Sequence, residues 1–206
     1  EKSPYIVNRE IIIFNGSTLN IGRGVTVYFN GSGSFSTDEF SGGGRIRAFG
    51  RKDNKINFIS KVPPDMGHRA FNLSLRDFIH FEYCSFKNIG EIYLAGTDNC
   101  EFYKCIFQNS QGIVFNERFV RTTETASENN TIRYCSFYNM PNAIKILSNL
   151  RYLDPNRFYQ NNFYNSSISL GFDPIDQISP LSSTWNESGY GNYWWDYNGT
   201  DLDGDG

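Results

Sequence analysis

The feature that most constrains this chain is a six-residue phrase that keeps returning. YCSFKN occupies residues 83–88, KCIFQN 104–109, YCSFYN 134–139 and QNNFYN 160–165, with a weaker copy, GNYWWD, at 191–196. Aligned, the copies put Cys84, Cys105, Cys135, Asn161 and Asn192 in one column, at steps of 21, 30, 26 and 31 residues. Two residues on stand Phe86, Phe107, Phe137, Phe163 and Trp194. Two further on come Asn88, Asn109, Asn139, Asn165 and Asp196. Three residues before the Cys/Asn column lie Phe81, Phe102, Ile132 and Phe158. A spacing of two is the period of a β-strand, so the Cys/Asn and Phe columns share one face.

Each copy continues with a second short apolar alternation: EIYL (91–94), GIVF (112–115), AIKI (143–146) and SISL (167–170). Two or three short strands per 20 to 30 residues describe one coil of a parallel β-solenoid, whose rungs bury their apolar faces on one another. In that arrangement the Phe column stacks through the core, Cys fills a small buried slot, and the Asn column sits where the strand bends. Stacked amides at the bend can bond to one another and to turn backbone. A β-sandwich is the competing architecture, but it gives no reason for amide turns aligned behind Phe.

Composition agrees with many short strands joined by turns: 17 % of the 206 residues are aromatic and 39 % hydrophobic, with Gly, Asn and Ser abundant. A formal charge of −3 lacks the basic footprint of a nucleic-acid binder. No run of 18 apolar residues is present to span a membrane as a helix. A first residue other than Met is expected of a processed, secreted or trimmed chain.

The repeat resembles the right-handed parallel β-helix family, which includes pectate-lyase-like proteins, periplasmic copper-binding proteins and archaeal surface proteins. The resemblance covers roughly residues 45–206. GNYWWDYNGTDLDGDG is similar to the ending of the archaeal members, while GVTVYFNGSGSF and GGGRIRAFGRKDNKINFIS resemble N-terminal capping coils. It implies an all-β, single-stranded right-handed solenoid, with capping strands and a first coil in residues 1–50. Coils would fill 51–196, and an acidic segment 197–206. Extracellular or cell-surface location follows from the same resemblance.

Several residues are candidates for function. The outward column one residue after Phe reads Lys87, Gln108, Tyr138, Tyr164, Trp195, and its last three members would form an exposed aromatic strip, at about 5 Å per step, suited to sugar rings or a partner protein. Asn15, Asn30, Asn72, Asn129, Asn165, Asn186 and Asn198 begin Asn-x-Ser/Thr triplets, about twice the number expected by chance, and are candidate N-glycan acceptors. Asp201, Asp203 and Asp205 spell the opening half of a calcium loop. Insertions at 116–128, 147–155 and 171–187 leave one corner of successive coils and would form a wall bearing Glu117, Glu124, Glu128, Asp154, Asp173 and Asp176.

The expected role is structural or adhesive: a surface-layer, filament or coat component that contacts carbohydrate and other copies of itself or surface proteins. One alternative is a polysaccharide lyase or glycoside hydrolase acting through the loop wall, which would need convergent carboxylates. A second is a periplasmic metal-binding protein using the Cys column. The four cysteines are expected as buried thiols, because stacked positions have parallel Cβ vectors that strain a disulfide. His80 is expected to face outward beside Phe81.

Overall fold

The computed structural model describes residues 3–37, 43–61, 68–74, 78–116, 118–120, 123–125, 127–147, 156–170 and 184–195. The first five coils each run through three strands. β1 (Tyr5–Val7), β2 (Glu10–Ile13) and β3 (Thr18–Ile21) form the first, and β4 (Thr26–Phe29), β5 (Ser34–Thr37) and β6 (Arg45–Phe49) the second. β7 (Ile56–Ser60), β8 (Arg69–Ser74) and β9 (Phe78–Glu82) form the third, followed by β10 (Cys84–Lys87), β11 (Glu91–Ala95) and β12 (Glu101–Tyr103). The fifth contains β13 (Ile106–Gln108) and β14 (Ile113–Asn116). An inserted antiparallel hairpin, β15 (Arg118–Val120) and β16 (Thr123–Thr125), then precedes β17 (Thr131–Arg133). β18 (Ser136–Ile146) runs through two faces before β19 (Arg157–Tyr159). β20 (Asn162–Leu170) repeats that path, and β21 (Tyr193–Trp194) opens an eighth coil.

Strands at equivalent positions pair in parallel from coil to coil, giving three sheets that wrap one core. The first face follows β1, β4, β7, β10, β13, β18, β20 and β21. The second follows β2, β5, β8, β11, β14 and the far ends of β18 and β20, and the third β3, β6, β9, β12, β17 and β19. No helix occurs among the described residues, and so none is long and apolar enough to cross a membrane. The chain is an all-β parallel solenoid.

The registers reproduce the sequence columns. Phe86 pairs with Phe107, Phe107 with Phe137, Phe137 with Phe163 and Phe163 with Trp194. Phe81, Phe102, Ile132 and Phe158 stack likewise on the third face, and Ile92, Ile113, Ile144 and Ile168 on the second. From Phe58 the ring centres continue through Phe86, Phe107, Phe137, Phe163 and Trp194 at 5.0, 4.7, 4.8, 4.8 and 4.2 Å, with interplanar angles between 4° and 11°. Rings from the other walls meet this stack edge-on, as Phe81 does against Phe86 at 82°. Offset stacks and edge contacts are both favourable for the ring quadrupole.

The solenoid also extends further toward the N-terminus than the motif does. Phe58 belongs to the same stack, with Ile56 in the Cys slot, and β1 to β6 continue the pairing without any Cys-x-Phe phrase.

Corners are where the amide chemistry concentrates. Asn88, Asn109, Asn139 and Asn165 have φ between 46° and 54°, the left-handed region that Asn tolerates better than other non-glycine residues. Asn165 donates from Nδ2 to Asn139 Oδ1 at 3.0 Å, the bend-side amide contact expected from the sequence. The larger effect lies in the column expected to be a small apolar slot. The Cys105 N–H donates to Cys135 Sγ at 3.4 Å, the Cys135 N–H to Asn161 Oδ1 at 2.9 Å, and the Asn161 N–H to Asn192 Oδ1 at 3.0 Å. Asn161 Nδ2 also donates to the Ile132 carbonyl at 2.9 Å. Cys and Asn share that column because each carries an acceptor at the γ or δ position that reaches the preceding coil.

The same device recurs at the other two corners. The Cys100 N–H donates to Asn130 Oδ1 and the Asn130 N–H to Asn156 Oδ1, while Ile89 and Met140 donate to Ser110 and Ser166.

Two substitutions test these assignments in equilibrium denaturant unfolding. Phe137→Ala, within the stack, is expected to cost about 3–5 kcal/mol through lost burial and a residual cavity. Asn161→Ala orphans the buried Cys135 N–H and Ile132 carbonyl and is expected to cost about 2–4 kcal/mol. A loss under about 0.5 kcal/mol for Asn161→Ala, the level of an ordinary surface change, would show that the ladder bond contributes nothing net.

Candidate functional site

Strand alternation that sends Phe inward sends its successor outward, and the pairings Lys87 with Gln108, Gln108 with Tyr138 and Tyr138 with Tyr164 place the expected column on the first face. Tyr138 and Tyr164 stack with centres 4.8 Å apart and planes 3° from parallel. Trp195 follows Tyr164 at 6.0 Å, tilted by 44°. The three residues therefore form one strip.

The structure divides that strip by what each ring presents. Tyr138 and Tyr164 each have one ring face covered by the other. Trp195, 66 % exposed, keeps most of its indole free. Tyr193, 47 % exposed, sits 6.0 Å from Tyr164 at 54° and belongs to the same surface. Tyr193 stands outside the expected column, although it lies two residues before Trp195 and so shares its strand phase, the one signal that could have found it. The end of the strip, rather than its length, is where a flat ligand ring has room to stack.

The remaining candidates fall in different places. Asn15 and Asn186 lie in exposed loops. At Asn30, Asn129 and Asn165 the Nδ2 atom that would carry a glycan already donates to Asn8, Asn99 and Asn139 of the adjacent coil. Asn72 is half-buried on β8 and accepts from Arg69 at 3.2 Å. Asn198 and the calcium-loop residues Asp201, Asp203 and Asp205 lie outside the described residues. So do Glu117, Asp154, Asp173 and Asp176 of the loop wall.

Of the other wall acids, Glu124 lies in β16, and the backbone of Glu128 bridges to Asp98. The strands from which the insertions leave end in register, Ala95 beside Asn116 and Ile146 beside Leu170, so the insertions do depart from one corner.

His80 is on the third face, its Nε2 3.5 Å from Glu101, whose other oxygen accepts from Arg133 Nε at 2.8 Å.

All four cysteines are buried free thiols. Cys84 donates to the Ala48 carbonyl and Cys135 to the Phe102 carbonyl, at 3.5 and 3.4 Å. Burial is the main cause that pushes the Cys84 and Cys135 thiols well above their ordinary range. No group of three or more His, Cys, Asp or Glu side chains arranged to hold a metal ion occurs among the described residues. The cysteines of the column take part in hydrogen bonding and core packing.

A raised thiol pKa withholds the thiolate that reacts with electrophiles. All four thiols are buried away from the reagent, so native protein at pH 8 is expected to leave them unmodified by iodoacetamide, with four adducts appearing once it is denatured. Rapid native labelling of Cys84 or Cys135 would contradict the buried column. No family model matches the chain, and no curated protein or solved structure is significantly similar to it.

Proposed function

We propose that the chain is a structural or adhesive module of a secreted or cell-surface protein, of the archaeal-surface type within the parallel β-helix family, that contacts carbohydrate through the Tyr138–Tyr164–Trp195 strip and Tyr193. The observation that supports this most directly is the pair of largely exposed rings, Trp195 and Tyr193, held on a rigid stack of coils. Exposed aromatic groups with polar neighbours favour a contact role over simple surface variation. A ring already ordered by the scaffold loses little further freedom on binding. Solenoid coils supply the mechanical part of the role, because each coil is completed by the next and the ends remain able to pair.

Exposed acceptors such as Asn15 and Asn186 suit an N-glycosylated outer surface, and the Asp201–Asp205 phrase suits calcium binding. The polysaccharide-cleaving alternative would need two carboxylates set across a glycosidic bond.

Two measurements test the proposal. In depletion assays on insoluble polysaccharides, replacing Trp195 and Tyr193 by Ala should weaken binding by about tenfold or more, since anchoring aromatics carry most contact energy, with the melting temperature preserved. Binding that survives the loss of both rings would overturn the sugar-contact reading. Peptide mapping of native material, with and without deglycosylation, should find glycans at the exposed Asn15 and Asn186. Unmodified Asn throughout would remove the glycoprotein component.

A further inference from the structure

The corner that leads from the third face into the first carries a second cluster, assembled from positions that the repeat leaves variable. Tyr83, Lys104, Tyr134 and Gln160 precede the Cys/Asn column and all take left-handed backbone, with φ of 48°, 53°, 55° and 55°. Their recurrence stacks one corner side chain per coil. Lys104 Nζ lies 4.6 Å from the ring centre of Tyr103, 5.4 Å from Tyr83 and 5.8 Å from Tyr134. The rings pack at 6.3 Å for Tyr83 with Tyr103 and 5.7 Å for Tyr103 with Tyr134.

The charges at this corner are not equivalent. Arg133 also covers Tyr103, at 4.4 Å, but its guanidinium is committed to Glu101 at 2.7 Å. Lys104 meets no carboxylate among the described residues. Its ammonium lies instead over the rings of Tyr103, Tyr83 and Tyr134, and the Tyr103 and Tyr83 phenols raise its pKa. An ammonium balanced only by phenols and ring faces keeps its full charge available to an incoming anion, and a charge-assisted contact is roughly twice as strong as a neutral one.

The cluster also adjoins the aromatic strip. Tyr134 stands at the corner two residues before β18, and Tyr138 lies on β18 itself. Between them the first face is floored by Ser85, Ile106, Ser136 and Asn162, paired in that order. This floor, polar except at Ile106 and walled by a Tyr–Lys corner on one side and aromatic rings on the other, suits a hydroxyl-rich chain bearing negative groups. The chain's own net charge of −3 opposes polyanions, so their retention would need a local site of this kind.

We propose that the first face binds a glycan carrying carboxylate or sulfate groups, with Lys104 as the anion contact and Tyr83, Tyr103 and Tyr134 as its surround. This rests on the sugar-contact reading of the aromatic strip and names the class of sugar.

Affinity electrophoresis in native gels containing alginate, a sulfated galactan or an uncharged β-glucan tests it. One of the two anionic polymers should retard the protein more than the β-glucan does, and which one separates carboxylate from sulfate recognition. Lys104→Met, which keeps the alkyl stem over the rings, should weaken that retardation about tenfold. Lys104→Arg should retain most of it, and the exposed Lys52→Met should change nothing. Melting temperatures measured in parallel show that each variant is folded, and Lys104→Gln replaces the Met variant if the latter is not.

Retardation by β-glucan equal to that by the anionic polymers, with Trp195→Ala abolishing both, would overturn the anion assignment and leave the strip reading standing. Equal weakening by Lys52→Met and Lys104→Met would reduce the effect to diffuse attraction and overturn it too. No retardation by any polymer would overturn both readings.

Discussion

Everything in this protein depends on how a coil closes its corners. Along the strands, parallel pairing with the coils on either side satisfies the backbone. At the corners the chain turns away from its neighbours, and a buried N–H left alone there costs about 1–3 kcal/mol. The molecule answers with a side chain from the next coil: Asn161 for Cys135, Asn192 for Asn161, Asn156 for Asn130, Ser166 for Met140. From the fourth coil onward, a coil is therefore chemically incomplete until its successor has folded onto it. Stability in such an arrangement is a sum of nearest-neighbour terms, and damage at one corner is felt by the coil before it.

The aromatic stack works with that constraint. Rings 4.2 to 5.0 Å apart need the same rise per coil that parallel strand pairing imposes, so hydrogen bonding and ring packing favour one spacing. With the inward phase and the corners committed to the fold, the outward phase is free to vary. Lys87, Gln108, Tyr138, Tyr164 and Trp195 share a column yet have little chemistry in common. That freedom is what allows a surface to be built on the first face without disturbing the core, and it hands any ligand a series of contacts at the coil spacing.

Much of the core is legible in the repeated phrase itself. Its period of two names the inward columns, and the pairings of Phe86, Phe107, Phe137, Phe163 and Trp194 follow it. The start of the solenoid is less legible. In the first two coils Val7, Val27 and Phe29 fill the core without a Cys-x-Phe phrase, so period two remains but the phrase does not. Size alone suggests one slot for Cys135 and Asn161, whereas their shared property is an acceptor that reaches a backbone N–H in another coil. Nothing within one copy of the phrase reveals that requirement.

The same division holds for the surface. Strand phase alone places Tyr138, Tyr164 and Trp195 in one outward column, because alternation along a strand is a local property of the backbone. Only the tertiary structure decided that the first two rings share their faces while Trp195 and Tyr193 keep theirs open, and that Lys104 sits among tyrosines from three coils. Those outcomes depend on side chains 20 to 30 residues apart meeting at the rise of one coil, a distance that stacking of the coils sets and no local pattern encodes.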